Sequence, residues 1–376
     1  DGVFDPFTTS DVYGYSGDFG FITNSTPERD STSFYGQGTW NHSDSLRTVF
    51  GLRHTKDEVY SAVTNFYGRS GTDILETDGN KVTGRFVVEK DLDDDTMLYG
   101  SFTRGYKPGG SNLTYGREDV VAQIVVLPTF QEEIVDAFEV GLKTDLADGR
   151  VRLNTAAFLY NYEGLQYQAT DPEVFEGGVG NIPDSEIYGA ELELSTFLSD
   201  SVILDLRMSW LDTEITANHL ALDNVESEAA TNALLAQGIG LFSNDVQVAR
   251  AGRIQNVKGN ELAKTPSFTG NVALNWSNDH NWGELKGTLQ YTYRGGFKHR
   301  IFNNSQTDLV PNYDVLDIML GFYPASAENQ HFEIIGKNLF DQDGINARFT
   351  DVFGVGATGD ELIAPRQIML RFVTQF

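Results

Sequence analysis

An all-β fold of antiparallel up-and-down strands, rolled into a barrel that crosses a membrane, is what this 376-residue sequence predicts. Three observations lead there. Apolar and polar residues alternate through many segments, the period of a strand whose two faces meet different surroundings. The connections between those segments are short and long in strict turn. Composition is the third: hydrophobic residues are 40%, yet no run approaches the roughly 20 apolar residues of a membrane-spanning helix. Aromatics at 12% and 38 glycines suit many strands, interfacial rings and tight turns.

The chain opens on Asp1-Gly-Val-Phe-Asp-Pro6, which has neither the basic start nor the apolar stretch of a signal peptide. If the protein is secreted, its beginning lies outside this sequence. Residues 1–28 read as loop with a short strand near Tyr13–Ile22, and residues 29–376 as barrel. Strands are expected near 29–41, 45–56, 80–91, 95–106, 131–146, 150–168, 186–198, 201–215, 262–277, 282–297, 312–323, 330–341 and 364–376.

The alternation is plainest in four of them. Val202, Leu204, Leu206, Met208 and Trp210 share one face opposite Asp205, Arg207 and Ser209. Leu285, Leu289, Tyr291 and Tyr293 oppose Glu284, Lys286, Thr288, Gln290 and Arg294. Tyr188, Ala190, Leu192 and Leu194 oppose Glu191, Glu193 and Ser195. A sandwich core would not hold Glu191, Glu193 and Arg207 without dedicated partners. In the last strand Ile368, Leu370, Phe372 and Phe376 form one row that runs to the terminal carboxylate. Chain ends usually fray, whereas a membrane barrel must keep its last strand paired because lipid offers an open edge nothing.

Short turns are expected at 41–44, 91–95, 147–149, 199–201, 278–281 and 324–329, and long connections at 57–79, 107–130, 169–185, 216–261, 298–311 and 342–363. A closed meander with turns at one rim and loops at the other produces this rhythm; a Greek-key sandwich scatters its long loops. Short turns belong in the periplasm and long loops outside, so the final strand runs down to a periplasmic Phe376. Thirteen strands are an odd number, while bacterial barrels of this kind have an even one, so a larger barrel is expected.

Several motifs resemble, in order, those of TonB-dependent outer-membrane receptors. They are Thr96-Met-Leu-Tyr-Gly-Ser-Phe102 with Arg104-Gly-Tyr-Lys-Pro-Gly-Gly110, then Glu139-Val-Gly-Leu-Lys-Thr144. Asp148-Gly-Arg-Val-Arg-Leu-Asn154, Ala156-Ala-Phe-Leu-Tyr-Asn-Tyr162 and Ile187-Tyr-Gly-Ala-Glu-Leu-Glu193 follow. Gly336-Lys-Asn-Leu-Phe-Asp341, Ala364-Pro-Arg366 and the terminal Phe complete the set, which covers about residues 30 to 376. The resemblance implies a 22-stranded barrel with an N-terminal plug in the Gram-negative outer membrane. It also implies import of an iron chelate, vitamin or oligosaccharide with TonB-derived energy. Partners implied are outer-membrane lipid, the TonB complex through an N-terminal part this chain lacks, and the barrel-assembly machinery at the row Ile368, Leu370, Phe372 and Phe376. A passive porin-like channel or adhesin, and a soluble β-rich carbohydrate-binding or hydrolytic protein, stay open as alternatives.

Little points to catalysis or cofactors, and the expectation is that the protein is not an enzyme and holds no metal. Gly354-Val-Gly-Ala-Thr-Gly359 matches a dinucleotide fingerprint but lacks the strand–turn–helix context such a site needs. The acidic runs Asp91–Asp95 and Asp341–Gly344 do not have EF-hand spacing. Six histidines are scattered, no Gly-x-Ser-x-Gly elbow occurs, and without cysteine there is neither a disulfide nor a thiolate site. A net charge of −27 argues against nucleic acid. Ligand chemistry is expected in the loops: Arg294, Lys298, His299 and Arg300 beside Phe297 and Phe302 to greet an anionic chelate, and Tyr160, Tyr162 and Tyr167 to stack on sugars or catechols. Membrane-interface girdling is the competing account of those rings. Residues 169–186 are acidic, and Glu226–Gly240 is expected to form a short helix over the mouth.

Overall fold

A computed structural model describes residues 24–64, 72–112, 126–172, 177–327, 329–350 and 358–374. Thirteen strands form one antiparallel sheet in which every strand pairs with its neighbours in sequence. They are β1 Asn24–Ser43, β2 Leu46–Thr64, β3 Thr72–Asp91, β4 Thr96–Lys107, β5 Glu133–Leu146, β6 Val151–Thr170 and β7 Gly177–Ser199. β8 Val202–Ile215, β9 Phe268–His280, β10 Gly283–Arg294, β11 Tyr313–Pro324, β12 Gln330–Lys337 and β13 Gln367–Thr374 continue it. This is the meander that alternating turns and loops predict. Among the described residues no helix is long and apolar enough to cross a membrane.

Cross-strand registers join the apolar faces into one band. Phe50, Phe86, Phe102, Phe138, Leu159 and Tyr188 are successive partners from β2 to β7. Leu194, Leu206, Val272, Tyr291 and Leu316 continue at a second level from β7 to β11. Many of these side chains are exposed, Phe50, Phe86 and Phe138 among them, which in water would be a large unpaired apolar surface and in lipid is none. Rings mark both edges. Trp210 lies edge-on to Tyr188 at 5.8 Å and Phe268 lies 6.0 Å from Tyr293 at the loop end. Trp282–Phe322 at 5.5 Å and Phe332–Phe372 at 4.9 Å mark the turn end. From Val202 to Trp210 is roughly 26 Å of strand, enough for the apolar band of about 25 Å in such barrels.

The opposite face is polar and bonded to itself. Tyr99 Oη donates to Glu139 at 2.6 Å, Asn275 Nδ2 to Asp205 at 2.8 Å, and Lys337 Nζ to Asp317 at 2.7 Å. Arg47 pairs with Glu89 and Asp91, and Arg371 with Glu333. Glu191 and Glu193 are on this face, with Arg207 opposite Glu193. A carboxylate row facing the lumen explains them without catalysis.

Some boundaries differ from expectation. β2, β3, β6 and β7 run to Thr64, from Thr72, to Thr170 and from Gly177, well into what read as loops. Above the bilayer neither face touches lipid, so the ladder continues after the apolar alternation stops. β9 starts at Phe268 rather than 262 because Leu262 is buried among the loops and Lys264 takes a left-handed φ of 63°. β1 starts at Asn24, inside the segment expected as loop; Tyr13–Ile22 and Phe376 lie outside the described residues.

The Ala147-Asp-Gly turn between β5 and β6 has φ of 55°, 54° and 79°. Left-handed backbone suits Gly and Asn but costs alanine about 1 kcal/mol. Ala147→Asn should therefore raise stability by about 0.5 kcal/mol, read as a higher unfolding midpoint of the solubilised barrel.

Candidate functional site at the loop end of the barrel

The described apolar core lies above the barrel rather than within it. Ile182, Ile215, Ala221, Val257, Leu262 and Ile301 are buried together, with Leu165, Tyr167, Ile187, Ala263 and Phe302 packed on them. They come from β6, β7, the end of β8 and two long loops. Residues 216–267 contribute most of this structure: a two-stranded pair, Leu220–Leu222 with Ile254–Asn256, and helices α1 (Asn224–Leu235) and α2 (Asn244–Ala251). α1 is the helix expected over the mouth. It begins where it does because Asp223 caps it, accepting from the amides of Val225 and Glu226. α2 was not anticipated, although Ser243 ahead of it accepts from the Val246 amide as an N-cap.

Three arginines staple these loops. Arg300 donates to Asp308 at 2.8 and 2.5 Å, to Asp223 at 2.6 Å and to Asn224 at 2.8 Å, and both carboxylates are 0% exposed. Arg250, 1% exposed, donates to the carbonyl of Pro172 at 2.8 Å and stands 3.6 Å from Glu228. Arg348 donates to both oxygens of Asp360, at 2.6 and 2.8 Å, and to the Leu309 carbonyl at 3.1 Å. That contact holds the hairpin of Ile345–Thr350 and Thr358–Leu362 against the 295–312 loop. The Arg348 guanidinium keeps the Asp360 carboxyl below the usual carboxylate range.

Beneath the hairpin is a cavity of about 410 Å³. Its apolar wall is Leu165, Tyr167, Ile182, Leu262, Phe302 and Phe349; its polar wall includes Gln166, Gln168, Lys264, His299 and Arg300. Size and lining fall in the ordinary range for a small-molecule site. Tyr162, Tyr167, His299, Arg300 and Phe302 of the expected contact residues line it. Tyr167 Oη is 2.9 Å from His219 Nε2, and burial pushes His219 below the usual histidine range.

The other expected contacts are elsewhere. Tyr160 stacks on Phe158 at 4.8 Å on the lumen side. Arg294 lies over Tyr313 at 4.4 Å and Phe297 at 4.8 Å and donates to the carbonyls of Ile345 and Asn346. Lys298 meets Lys264 only through the backbone, the Lys264 amide donating to its carbonyl at 2.7 Å. Ile368, Leu370 and Phe372 project together from β13, opposite Gly336, Ile334 and Phe332. Sequence reasoning missed Thr350, Asp223 and Asp308, whose partners lie 8 to 77 residues away; only Asp223-Asn-Val-Glu226 carried a local signal, that of a helix cap. Among the described residues no group of three or more metal-ligating side chains occurs, and residues 354–357 of the glycine-rich run lie outside them.

The family model for a TonB dependent receptor-like β-barrel matches residues 2–339. The chain belongs to that family. These receptor barrels are proteins of the Gram-negative outer membrane, and they transport rather than catalyse. A curated relative, the probable TonB-dependent siderophore receptor PiuA of Acinetobacter baumannii, is 25% identical over 193 residues, 50% of this chain and 24% of its own length. The ferric yersiniabactin uptake receptor FyuA of Yersinia pestis superposes with a TM-score of 0.70 at 19% identity, covering 94% of this chain and 47% of FyuA. The copper transporter OprC gives 0.64 at 13% identity, covering 93% and 49%. This receptor barrel thus spans about half the length of the solved relatives and a quarter of the curated one.

Proposed function

We propose that this barrel belongs to an outer-membrane active-transport receptor for a scarce nutrient, an iron chelate foremost, and that the cavity under the strand pair Ile345–Thr350 and Thr358–Leu362 forms part of its ligand-binding mouth. The observation that carries the reading is the cavity itself: rings and aliphatic side chains above a polar lumen, walled by loops that buried arginines hold in place. A solvent-filled passive pore has no use for a compartment walled this way at its mouth. The name of PiuA supports an iron chelate; that of OprC, on the same fold, shows why fold alone does not set the cargo. The TonB complex and the barrel-assembly machinery, the latter through the outward row of β13, are the protein partners this reading requires.

Phe349 gives the cleanest test, because it lines the cavity yet is 60% exposed, so its loss disturbs little packing. In the full-length receptor Phe349→Ala should weaken binding of the cognate ferric chelate about tenfold, or about 1.4 kcal/mol. Titration of a panel of ferric hydroxamates, ferric catecholates and cobalamins identifies that chelate. Uptake that is linear in concentration and indifferent to TonB, with no saturable binding, would make the protein a channel instead.

A further inference from the structure

We propose that the loop-end cavity selects a ligand group with an aryl body and a single negative charge, an aryl carboxylate, and that Lys264 is the residue that sets this charge. The chain has 54 acidic residues against 27 basic ones, yet no aspartate or glutamate lines the cavity, while Lys264, Arg300 and Arg348 do. Two of these three cations are neutralised where they stand. Arg300 is shared between Asp223 and Asp308, so that cluster carries one excess negative charge. Arg348 is matched by both oxygens of Asp360. Lys264 is exposed and has no carboxylate partner among the described residues. A ligand with one negative charge therefore finds one ammonium to pair with. A second or third charge would find no partner on this wall and would face the excess charge of the Arg300 cluster, a repulsion that the low dielectric of a protein site enlarges.

Much of the remaining polar wall is already spent. His299 Nδ1 lies 3.1 Å from the carbonyl oxygen of Asp308 and its Nε2 2.7 Å from the Thr350 hydroxyl. Tyr167 Oη is taken up by His219 at 2.9 Å, and Gln166 Nε2 donates to the carbonyls of Pro108 and Gln131 at 2.9 and 3.1 Å. Tyr167, Phe302 and Phe349 offer the cavity ring surface, beside the side chains of Leu165, Ile182 and Leu262. Aromatic and aliphatic surface with one ammonium is the complement of an aryl carboxylate.

The backbone at Lys264 gives the same answer from another direction. Its φ of 63° is left-handed, where glycine or asparagine is the favoured residue and lysine is not. The turn is held in that shape from three sides: the Lys264 amide donates to the Lys298 carbonyl at 2.7 Å, the Leu262 amide to Thr213 Oγ1 at 2.9 Å, and Thr265 Oγ1 to the Leu262 carbonyl at 2.6 Å. What lysine brings to this position is its ammonium, since the local fold would be better served without it. The consequence for uptake rests on the receptor reading above; the charge preference of the cavity does not.

The probes are para-fluorobenzoate and para-fluorobenzamide, alike in size and different in charge, titrated by fluorine NMR into the solubilised full-length receptor. The carboxylate should bind about fivefold tighter than the amide, the scale of a partly exposed ion pair. Lys264→Asn, whose side chain suits the left-handed backbone and so keeps the turn, should bind the two equally; Lys264→Arg should keep the preference. A ferric chelate with one net negative charge on a carboxylate arm should displace the benzoate, and a ferric tris-catecholate, with three negative charges, should not. Equal binding of the two probes, binding of neither, a preference that survives Lys264→Asn, or displacement by the tris-catecholate overturns the proposal. Chelate binding that depends on Phe349 without any preference between the probes removes only this proposal. A Lys264-dependent preference that no chelate displaces removes only the receptor reading.

Discussion

Leu206→Arg should lower the stability of the barrel in lipid by about 2–4 kcal/mol, the cost of a cation near the bilayer midplane on the lipid-facing side. Leu206 stands halfway along the apolar band, between Leu194 and Val272 and midway from Val202 to Trp210. The guanidinium cannot snorkel past the rings at either edge without bending the strand. Ser209→Arg, three residues on but on the lumen face and paired with Glu191 of the neighbouring strand, should cost roughly nothing on the same scale. Reversible unfolding in lipid bilayers measures both. Equal costs at 206 and 209 would mean that the apolar band is not what meets the membrane.

The second large effect is local. Arg300→Ala leaves Asp223 and Asp308 buried without their shared cation, and breaking a buried pair on one side costs about 3–5 kcal/mol. That exceeds what loops can absorb while folded, but the barrel strands share none of these contacts. The outcome expected is a folded barrel with an unlatched mouth. Residues 216–267 and 295–312 should lose hydrogen-exchange protection and become sensitive to protease, while the resistance of the barrel to denaturant changes little. Chelate binding should be lost with them. Protection unchanged in 216–267 would show that Arg250 and the apolar core suffice to hold those loops.

The contrast between the two substitutions matches what could be read from residues alone. Leu206 and its neighbours declare themselves because lipid on one side and water on the other impose a period of two that survives in the sequence. The turns declare themselves too, since Ala147-Asp-Gly149 or Ser199-Asp-Ser201 must reverse the chain in a few residues. Arg300 was singled out as a cation for an incoming anion. The fold instead gives that cation to two carboxylates, one of them 77 residues earlier in the chain. Tyr162 and Tyr167 were grouped with Tyr160 by spacing, yet the first two line the cavity and Tyr160 stacks in the lumen.

The amino-acid sequence by itself determined the class of fold, the order and direction of thirteen strands, which side chains face outward, and the family. Each follows from local periodicity or from motifs a few residues long. Only the tertiary structure decided where the loop-end cavity lies, which charges pair at the mouth, and that His299 joins a hairpin to a loop. Those depend on loop segments that meet across long stretches of chain, and no local pattern records which buried carboxylate an arginine will find.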